Sequence, residues 1–283
     1  MKTGLIMEGG AMRGVFTCGV IDVFLEQGVR FDGAAGISAG ACFGCNFKSG
    51  QVGRAIRYNK RFSRDPRYCS IRSLILTGDL YGADFCYREL PYVLDPFDRE
   101  AFAANPMDFY VGATDVETGG IVYRNCLDGG EDDMQWIRAS ASMPLVSRIV
   151  ETGGYRLLDG GIADPVPYGV MERAGYDRNV YILTRPKGYR KKPDSSLPLA
   201  KLALRRTPEM VRAIARRHII YNRQMEEIDE KVARGEILVI RPPEPLGIRR
   251  TEHDPEELDR AYRIGRNEAE KALPAVREFL SGT

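Results

Sequence analysis

The residues best suited to nucleophilic chemistry form the stretch Gly36-Ile37-Ser38-Ala39-Gly40, a G-x-S-x-G motif between an apolar run and a helical pattern. A serine nucleophile needs a tight strand-to-helix turn that projects its hydroxyl from the sheet. Glycines two residues before and after it keep the neighbouring backbone from clashing. The N-terminus of the following helix favours negative charge developing at the site. The motif therefore predicts Ser38 as an acyl-transfer nucleophile; the alternative is a serine that only caps a glycine-rich helix.

A glycine-rich loop, Gly9-Gly10-Ala11-Met12-Arg13-Gly14, follows the first predicted strand. Such a loop can turn several backbone N–H groups towards one point, where they would hold an oxyanion. Arg13 would support the loop or meet a phosphate. A dinucleotide-binding loop is disfavoured because Ala11 occupies the middle glycine position of G-x-G-x-x-G, and a Walker loop would need Gly-Lys-Ser/Thr. A purely structural turn remains open.

The third candidate is an acid at the end of a short apolar strand, in Leu157-Leu158-Asp159-Gly160-Gly161. This placement puts a carboxylate at the edge of a sheet, with two glycines that let other backbone approach closely. An ordinary Asp-Gly turn is the more common explanation of the triplet taken alone. The other two motifs make Asp159 a candidate general base.

Together and in this order, the motifs resemble those of the patatin-like phospholipase family, and the resemblance covers about residues 3 to 185. It includes the stretch from Ile137 to Pro144 and the one from Gly161 to Pro167. The resemblance implies a three-layer α/β/α fold with a mostly parallel or mixed sheet. It also implies a serine hydrolase of lipid acyl esters that needs no metal or cofactor, with Ser38 as nucleophile and Asp159 as base. The oxyanion hole falls on Gly9, Gly10, Ala11 and Arg13, and the motif glycines are Gly14, Gly36, Gly40, Gly160 and Gly161. Ala11 stands where that family usually has glycine.

The histidine count bears on the mechanism independently of any family. Only His218 and His253 are present, both in the C-terminal region of the chain. A Ser-Asp-His triad in α/β-hydrolase order is formally open, but the nucleophile of such enzymes normally follows several strands, whereas Ser38 follows one or two. A Ser38–Asp159 dyad is the simpler hypothesis. A carboxylesterase with a histidine and a non-enzymatic protein that binds a membrane surface or a nucleotide are the alternatives.

Strands and helices alternate in the first half of the chain, where they hold the candidate residues in place. Strands are predicted for Thr3 to Met7, Phe31 to Ile37, Asp108 to Thr114, Ile121 to Arg124, Tyr155 to Leu158, Asn179 to Thr184 and Ile237 to Ile240. Helices are predicted from Val15 to Gly28, Ala39 to Lys48 and Trp136 to Ser142, within the polar insertion from Val52 to Phe102, and beyond Pro186. We predict a catalytic core over residues 1–185 and a basic helical region over 186–283 packed on the same domain.

The distribution of charged residues indicates which partners the chain contacts. The segment from Arg185 to Arg223 holds twelve Lys/Arg against two acidic residues, although the whole chain has a net charge of only +2. This segment would suit peripheral contact with an anionic membrane, whereas no aromatic-interleaved basic motif suggests a nucleic acid.

The N-terminus reaches Glu8 before a signal-peptide apolar region can form, which predicts a cytoplasmic protein. Cys42-Phe43-Gly44-Cys45 is interpreted as buried helix rather than as a redox or zinc pair. The oligomeric state is left open.

Overall fold

The computed structural model describes residues 1–282, which form one eight-stranded mixed sheet flanked by helices. The strands are β1 (Lys2–Met7), β2 (Gly33–Ile37), β3 (Asp108–Asp115), β4 (Ile121–Asn125), β5 (Val150–Thr152), β6 (Tyr155–Asp159), β7 (Tyr176–Ile182) and β8 (Ile237–Ile240). The helices are α1 (Val15–Glu26), α2 (Ala39–Lys48), α3 (Arg54–Phe62), α4 (Ile71–Thr77), α5 (Arg99–Ala104), α6 (Glu131–Ala141), α7 (Tyr168–Arg173), α8 (Leu197–Ala203), α9 (Pro208–Ala233) and α10 (Pro255–Ser281). Short 3-10 turns cover Ala11–Gly14 and Gly160–Ile162, and a π-helix covers Phe85–Leu94.

Side chains of the central strands alternate between two apolar layers, as strand geometry requires. In β1, Leu5 and Met7 pack with α1, α2 and α10, whereas Ile6 packs with α7 and α9 on the opposite face. The sheet is therefore buried on both sides, which is why its strands appear in the sequence as short continuous apolar runs. The predicted three-layer α/β/α class is confirmed.

The pairing of the strands determines which strand ends lie next to each other in the sheet. β1 pairs in parallel with both β2 and β7, and β7 pairs in parallel with β8. β3 is parallel to β2 but antiparallel to β4 and to β6. Because Ala113 and Thr114 pair with β4 and β6 at once, these two strands lie on opposite edges of β3. By the same reasoning, β2 lies on the edge opposite β4.

β2 and β6 therefore share one edge of β3 and meet end to end. β2 finishes where Ile37 pairs with Gly112, and β6 finishes one residue further along, where Asp159 pairs with Ala113. The chain leaves β2 into Ser38 and leaves β6 into Gly160. Two stretches that are remote in sequence are thus brought into contact by the register of a third strand.

The predicted elements agree with the structure except at their ends and at two short segments. The second strand begins at Gly33 rather than Phe31, the seventh covers Tyr176–Ile182, and α6 begins at Glu131, five residues before the predicted start. Three acidic residues in the first turn of α6 complement the helix dipole, which explains its earlier start. The hydrophobic patterns did not reveal β5 or α7, which are only 3 and 6 residues long. The insertion is helical, as predicted.

Candidate active site

Ser38 lies on the turn between β2 and α2, in a backbone conformation that L-amino acids rarely adopt (φ 54°, ψ −119°). The turn is so tight that a Cβ on Gly36 would lie 2.5 Å from the carbonyl oxygen of Gly40, and one on Gly40 would lie 2.4 Å from that of Met7. Glycine is thus required at both flanking positions. The Ser38 N–H donates to Ser140 Oγ at 2.9 Å, which ties the turn to α6.

Asp159 is the hydrogen-bond partner of the serine. Ser38 Oγ donates to Asp159 Oδ2 at 2.8 Å, and both side chains are buried. The other carboxylate oxygen accepts the Gly161 N–H at 2.7 Å. The Asp159 main chain is also held, because its N–H donates to Ser142 O at 2.7 Å and its carbonyl accepts from Thr114 Oγ1 at 2.8 Å. The carboxylate therefore has little freedom to turn away from the hydroxyl.

Burial sets the basicity of this carboxylate. Desolvation raises the pKa of Asp159, while the positive charge of Arg217 and the hydrogen bond from Ser38 oppose that rise. Arg217 Nε donates to the Gly161 carbonyl at 2.6 Å, so its guanidinium stands next to the Asp159-Gly160-Gly161 turn. A carboxylate with a raised pKa is a better proton acceptor than an ordinary aspartate, which suits a general base.

The glycine-rich loop lies against the serine because β1 and β2 are parallel neighbours whose carboxyl ends meet. A Cβ on Gly9 would lie 3.2 Å from Ser38 Cβ, and one on Gly10 would lie 2.8 Å from Thr184 Oγ1. Ala11 takes a positive φ of 48°, the conformation for which glycine is the usual residue. Within residues 1–282, the N–H groups of Gly10 and Ala11 have no hydrogen-bond partner. They are available to a ligand.

The remaining motif residues pack the loops together. Gly14 faces Ala39 and Phe43 on α2, and a Cβ on Gly160 would lie 2.3 Å from the Gly112 carbonyl oxygen of β3. The Arg13 N–H donates to the Gly10 carbonyl at 3.2 Å, and its buried Nε has no partner in the described chain. The structure thus brings Ser38, Asp159 and the loops around Gly9 and Gly160 into one place.

Two cavities meet at the serine. An apolar cavity of about 120 Å³ is lined by Ala11 and Ser38 together with aromatic and aliphatic side chains that include Tyr58, Tyr87 and Ile137. A polar cavity of about 600 Å³ is lined by Gly9, Ser38 and Asp159 on one side and by basic residues from Arg185 onwards on the other. A molecule bound at Ser38 can therefore place an apolar group in the first cavity and a polar group in the second.

Neither histidine is hydrogen-bonded to the Ser38–Asp159 pair. Among the described residues, no histidine forms a hydrogen bond to Ser38 or Asp159; His253 Nδ1 lies 2.6 Å from the Ser63 carbonyl, and His218 Nδ1 is buried without a partner. His218 lines the polar cavity. The geometry favours the dyad over the triad.

The cysteines of the C-x-x-C belong to helix α2. Cys45 is buried and Cys42 lines the apolar cavity, while burial raises the pKa of Cys42 to about 12 and that of Cys45 to about 11. Both thiols are thus neutral, as in a structural role. Residues 1–282 contain no group of three or more His, Cys, Asp or Glu that could hold a metal ion, and no helix among them is long and apolar enough to cross a membrane.

Sequence reasoning did not identify three positioning residues: Ser140, Ser142 and Thr114. Ser140 and Ser142 lie in the stretch from Ile137 to Pro144 that contributed to the family resemblance, which was the available signal. Thr114 is a strand residue with no local mark, and only the pairing of β3 with β6 brings its hydroxyl to the Asp159 carbonyl.

Two family models and several known proteins are similar to this chain. A family model described as "Patatin-like phospholipase" matches residues 5–171, and a "Domain of unknown function (DUF6363)" matches residues 207–281. The Escherichia coli K12 protein "Uncharacterized protein YjjU" is 27% identical over 252 residues, covering 87% of this chain and 70% of that protein. The solved structure of VipD from Legionella pneumophila aligns with 97% of this chain and 67% of that chain at a TM-score of 0.46 and 13% identity.

Two further relatives are similar over a smaller share of their length. "Uncharacterized NTE family protein Rv1063c" of Mycobacterium tuberculosis H37Rv is 27% identical over 64% of this chain, which spans 48% of that protein. "Lysophospholipase NTE1" of Debaryomyces hansenii is 27% identical over 62% of this chain, in an alignment that covers 11% of that protein. The chain thus spans about half of the mycobacterial relative and a small fraction of the yeast one.

Proposed function

The chain belongs to the patatin-like phospholipase family, and from that premise we propose that it hydrolyses acyl esters of lipids through a Ser38–Asp159 dyad. The observation that carries the proposal is the 2.8 Å hydrogen bond between two buried side chains, Ser38 Oγ and Asp159 Oδ2. The named activity of one relative, a lysophospholipase, agrees with a lipid substrate.

In the first half of the reaction, Ser38 Oγ attacks the ester carbonyl while its proton passes to Asp159 Oδ2. The carbonyl oxygen becomes an oxyanion, which the N–H groups of Gly10 and Ala11 would stabilise, because both lack a partner in residues 1–282. The tetrahedral intermediate then collapses, the ester C–O bond breaks, and the leaving alcohol takes the proton from Asp159. Ser38 is left acylated.

In the second half, a water molecule attacks the acyl-enzyme and gives its proton to Asp159. The second tetrahedral intermediate expels Ser38 Oγ, which regains the proton, and the carboxylic acid is released. The raised pKa of Asp159 supports both transfers, since burial has made its carboxylate a stronger base than an exposed aspartate. These reaction steps need no oxidant, reductant or metal ion.

The apolar cavity provides the place for the acyl chain. Its lining includes Met12, Phe43, Tyr58 and Leu90 as well as Ser38, so an acyl chain bound there would bring its carbonyl to the nucleophile. The polar cavity on the other side would receive the alcohol moiety of the ester.

We also propose contact with an anionic membrane surface, through two short helices beside the polar cavity. α4 exposes Ile71, Ile75 and Leu76 (72%, 77% and 69%), and α8 exposes Leu199 and Leu202 (58% and 69%). Leu80 just after α4 and Ser196 just before α8 both line the polar cavity. Basic residues accompany both helices, namely Arg72, Lys201, Arg205 and Arg206. Exposed apolar side chains with basic neighbours suit an anionic bilayer.

The decisive experiment is covalent labelling of the purified chain by a fluorophosphonate, together with turnover of a lysophospholipid. We expect wild type to be labelled and to release fatty acid, and Ser38→Ala to do neither. Ser49→Ala, at the other end of α2 and away from both cavities, is the matched control and should behave as wild type. Labelling that persists in Ser38→Ala would refute the nucleophile.

A His218→Gln, His253→Gln double variant tests the triad. A dyad enzyme keeps fluorophosphonate labelling without either histidine, whereas loss of labelling in a correctly folded double variant would favour the carboxylesterase alternative.

A further inference from the structure

The polar cavity beside Ser38 and Asp159 is lined by many more cations than anions. Its basic residues are Arg13, Arg185, Arg190, Lys191, Lys192, Arg217 and Arg250, and its carboxylates are Glu8, Asp159 and Asp194. Six of the seven basic residues lie beyond residue 171, outside the segment that matches the phospholipase family. Five of the seven, all but Arg13 and Arg185, lie in the C-terminal region of residues 186–283, which thus supplies most of this excess.

Most of these cations form no ion pair within the described residues. Within residues 1–282, only Arg190 of the seven forms an ion pair, with Glu226 at 3.7 Å. Arg185 instead lies over the ring of Tyr189 at 4.4 Å, and Lys191 over that of Tyr221 at 4.5 Å. Arg13, Arg185, Lys191 and Arg217 are partly buried, and partly buried charges without ion-pair partners are unfavourable unless a ligand neutralises them.

The carboxylates of the cavity are already engaged. Glu8 accepts hydrogen bonds from the N–H and the hydroxyl of Thr184, and Asp194 accepts from the N–H and hydroxyl of Ser196 at 2.9 and 2.7 Å. Asp159 is bound to Ser38 and Gly161. The oxygens of these carboxylates are thus already bound to donors of the protein, and seven basic residues outnumber the three carboxylates, so the net charge of the cavity disfavours the ammonium of a zwitterionic headgroup.

The cations also destabilise one another's charged forms, which contributes to the lowered pKa values of two of them. Burial lowers the pKa of Lys191 to about 7, and the positive charges of Arg217 and Arg13 lower it as well. Burial likewise lowers the pKa of Arg13 to about 10, with a contribution from Arg185. A bound anion would reverse both effects, because it favours the charged forms.

We propose that this cavity is an anion subsite for the alcohol moiety of the substrate, which makes the protein selective for acyl esters with a phosphate monoester headgroup. The inference rests on the proposed function and deepens it. Acyl chain, ester carbonyl and phosphate would occupy the apolar cavity, Ser38 and the polar cavity in that order. Arginine and lysine are suited to phosphate, which they bind by charge-assisted hydrogen bonds. The C-terminal region thereby determines headgroup selectivity.

The first test compares esters that share one acyl chain and differ in headgroup: a 1-acylglycerol 3-phosphate, a 1-acylglycerol and a lysophosphatidylcholine, each in monomeric solution. We expect wild type to have its highest kcat/KM on the phosphate monoester. The double variant Lys191→Gln, Arg250→Gln should lower the ratio of kcat/KM for the phosphate ester to that for the acylglycerol by roughly tenfold or more, mainly through KM.

Arg216→Gln is the matched control, because Arg216 is an exposed cation on α9 that does not line the cavity. It should leave the ratio of wild type unchanged. The proposal is overturned if wild type shows no preference for the phosphate ester, or if Arg216→Gln lowers the ratio as much as the double variant does.

The second test separates a lipid headgroup from free phosphate, using calorimetry on Ser38→Ala. We expect this variant to bind the 1-acylglycerol 3-phosphate, to bind inorganic phosphate much more weakly, and to lose lipid binding when Lys191 and Arg250 are also replaced. Equal binding of inorganic phosphate and the lipid would indicate a site for free phosphate and would overturn the headgroup assignment. If wild type hydrolyses no ester while the lipid still binds through Lys191 and Arg250, the proposed function fails and the subsite stands.

Discussion

Two residues of the site hold backbone conformations that are costly for side chains with a Cβ. Ser38 and Ala11 have positive φ values of 54° and 48°, and such conformations cost of order 1–3 kcal/mol each. Ser38 is held there by its N–H bond to Ser140 and by the close approach of the two flanking glycines. Ala11 leaves its N–H without a partner in the described chain. The residues proposed for catalysis thus reduce the stability of the fold.

Asp159 also reduces the stability of the fold, and its effect depends on pH. Its pKa is raised in the folded state by burial, above an unfolded value of about 4. Below the unfolded pKa the carboxyl is protonated in both states and costs nothing. As the pH rises from the unfolded pKa through the folded pKa, the unfolded state releases this proton first, so stability is progressively lost.

We therefore expect Asp159→Asn to melt at a higher temperature than wild type at pH 7 and to lose that advantage as the pH falls towards 4. Asparagine stays neutral and can still accept the Gly161 N–H. Turnover should fall by ~100-fold or more, because the base is removed. Thermal melts from pH 4 to 8 and ester hydrolysis measure both effects, with exposed Asp132→Asn as the control that should show no pH-dependent gain. A variant with full turnover, or one that melts below wild type at every pH, contradicts this account.

Helices α4 and α8 are short surface helices that depend on the rest of the molecule for their stability. They are 7 residues long each and could not be stable alone. A Ser70 side-chain cap holds the start of α4, where Ser70 Oγ accepts the Ser73 N–H at 2.9 Å. Buried Ala200 fixes α8 in a small core cluster with Met210 and Ile214 of α9. α8 is thereby anchored by one face, and both helices present apolar side chains to the solvent.

Vesicle flotation tests the proposed membrane contact at this scale. We expect wild type to float with vesicles of phosphatidylglycerol and phosphatidylcholine, and much less with phosphatidylcholine alone. Ile75→Ser with Leu76→Ser, and separately Leu199→Ser with Leu202→Ser, should each weaken flotation, because every exposed side chain removed takes away apolar area that would enter the bilayer. Leu127→Ser, exposed at 60% but on neither helix, is the control. Equal flotation of all variants would mean that this surface does not face the membrane.

The C-terminal region is joined to the rest of the molecule by both sheet and helix packing. β8 extends the central sheet beside β7, and α10 crosses α1 at two glycines. A Cβ on Gly19 would lie 2.1 Å from the Tyr262 carbonyl oxygen, and one on Gly265 would lie 2.1 Å from that of Phe16. Tyr262 also donates to Asp22 at 2.8 Å. We propose that residues 1–185 and the C-terminal region fold as one cooperative unit.

Gly265→Ala tests this unit, because the added methyl meets backbone and forces α1 and α10 apart. We expect a loss of about 1–3 kcal/mol in the free energy of unfolding, as in other overpacked cores. Fluorescence of Trp136 in α6 and far-UV circular dichroism should keep a common midpoint that shifts downwards. Gly169→Ala, in α7 against a flexible Arg173 side chain, is the matched control and should be neutral or stabilising. Separate midpoints for the two signals would show that the regions unfold independently.

The sequence alone determined what local physics controls. Apolar runs and glycine punctuation specify the strand, turn and helix around Ser38, and the predicted first helix, second helix and last strand agree with α1, α2 and β8 to within a few residues. The patterns did not predict β5 or α7, because these elements are too short to show a hydrophobic period. The end of α6 was predicted but its start was not, since the acidic residues in its first turn carry no apolar signal.

Contacts between distant parts of the chain determine which of these elements lie next to each other. The hydrogen bond between Ser38 and Asp159 exists because β2 and β6 end at consecutive residues of β3, Gly112 and Ala113. The basic residues appeared in the sequence as a charged stretch, but the packing of α9 beside the Asp159 turn brings Arg217 to the site. Strand register and helix packing depend on contacts between residues far apart in the chain, and a periodic pattern within one segment carries no information about them.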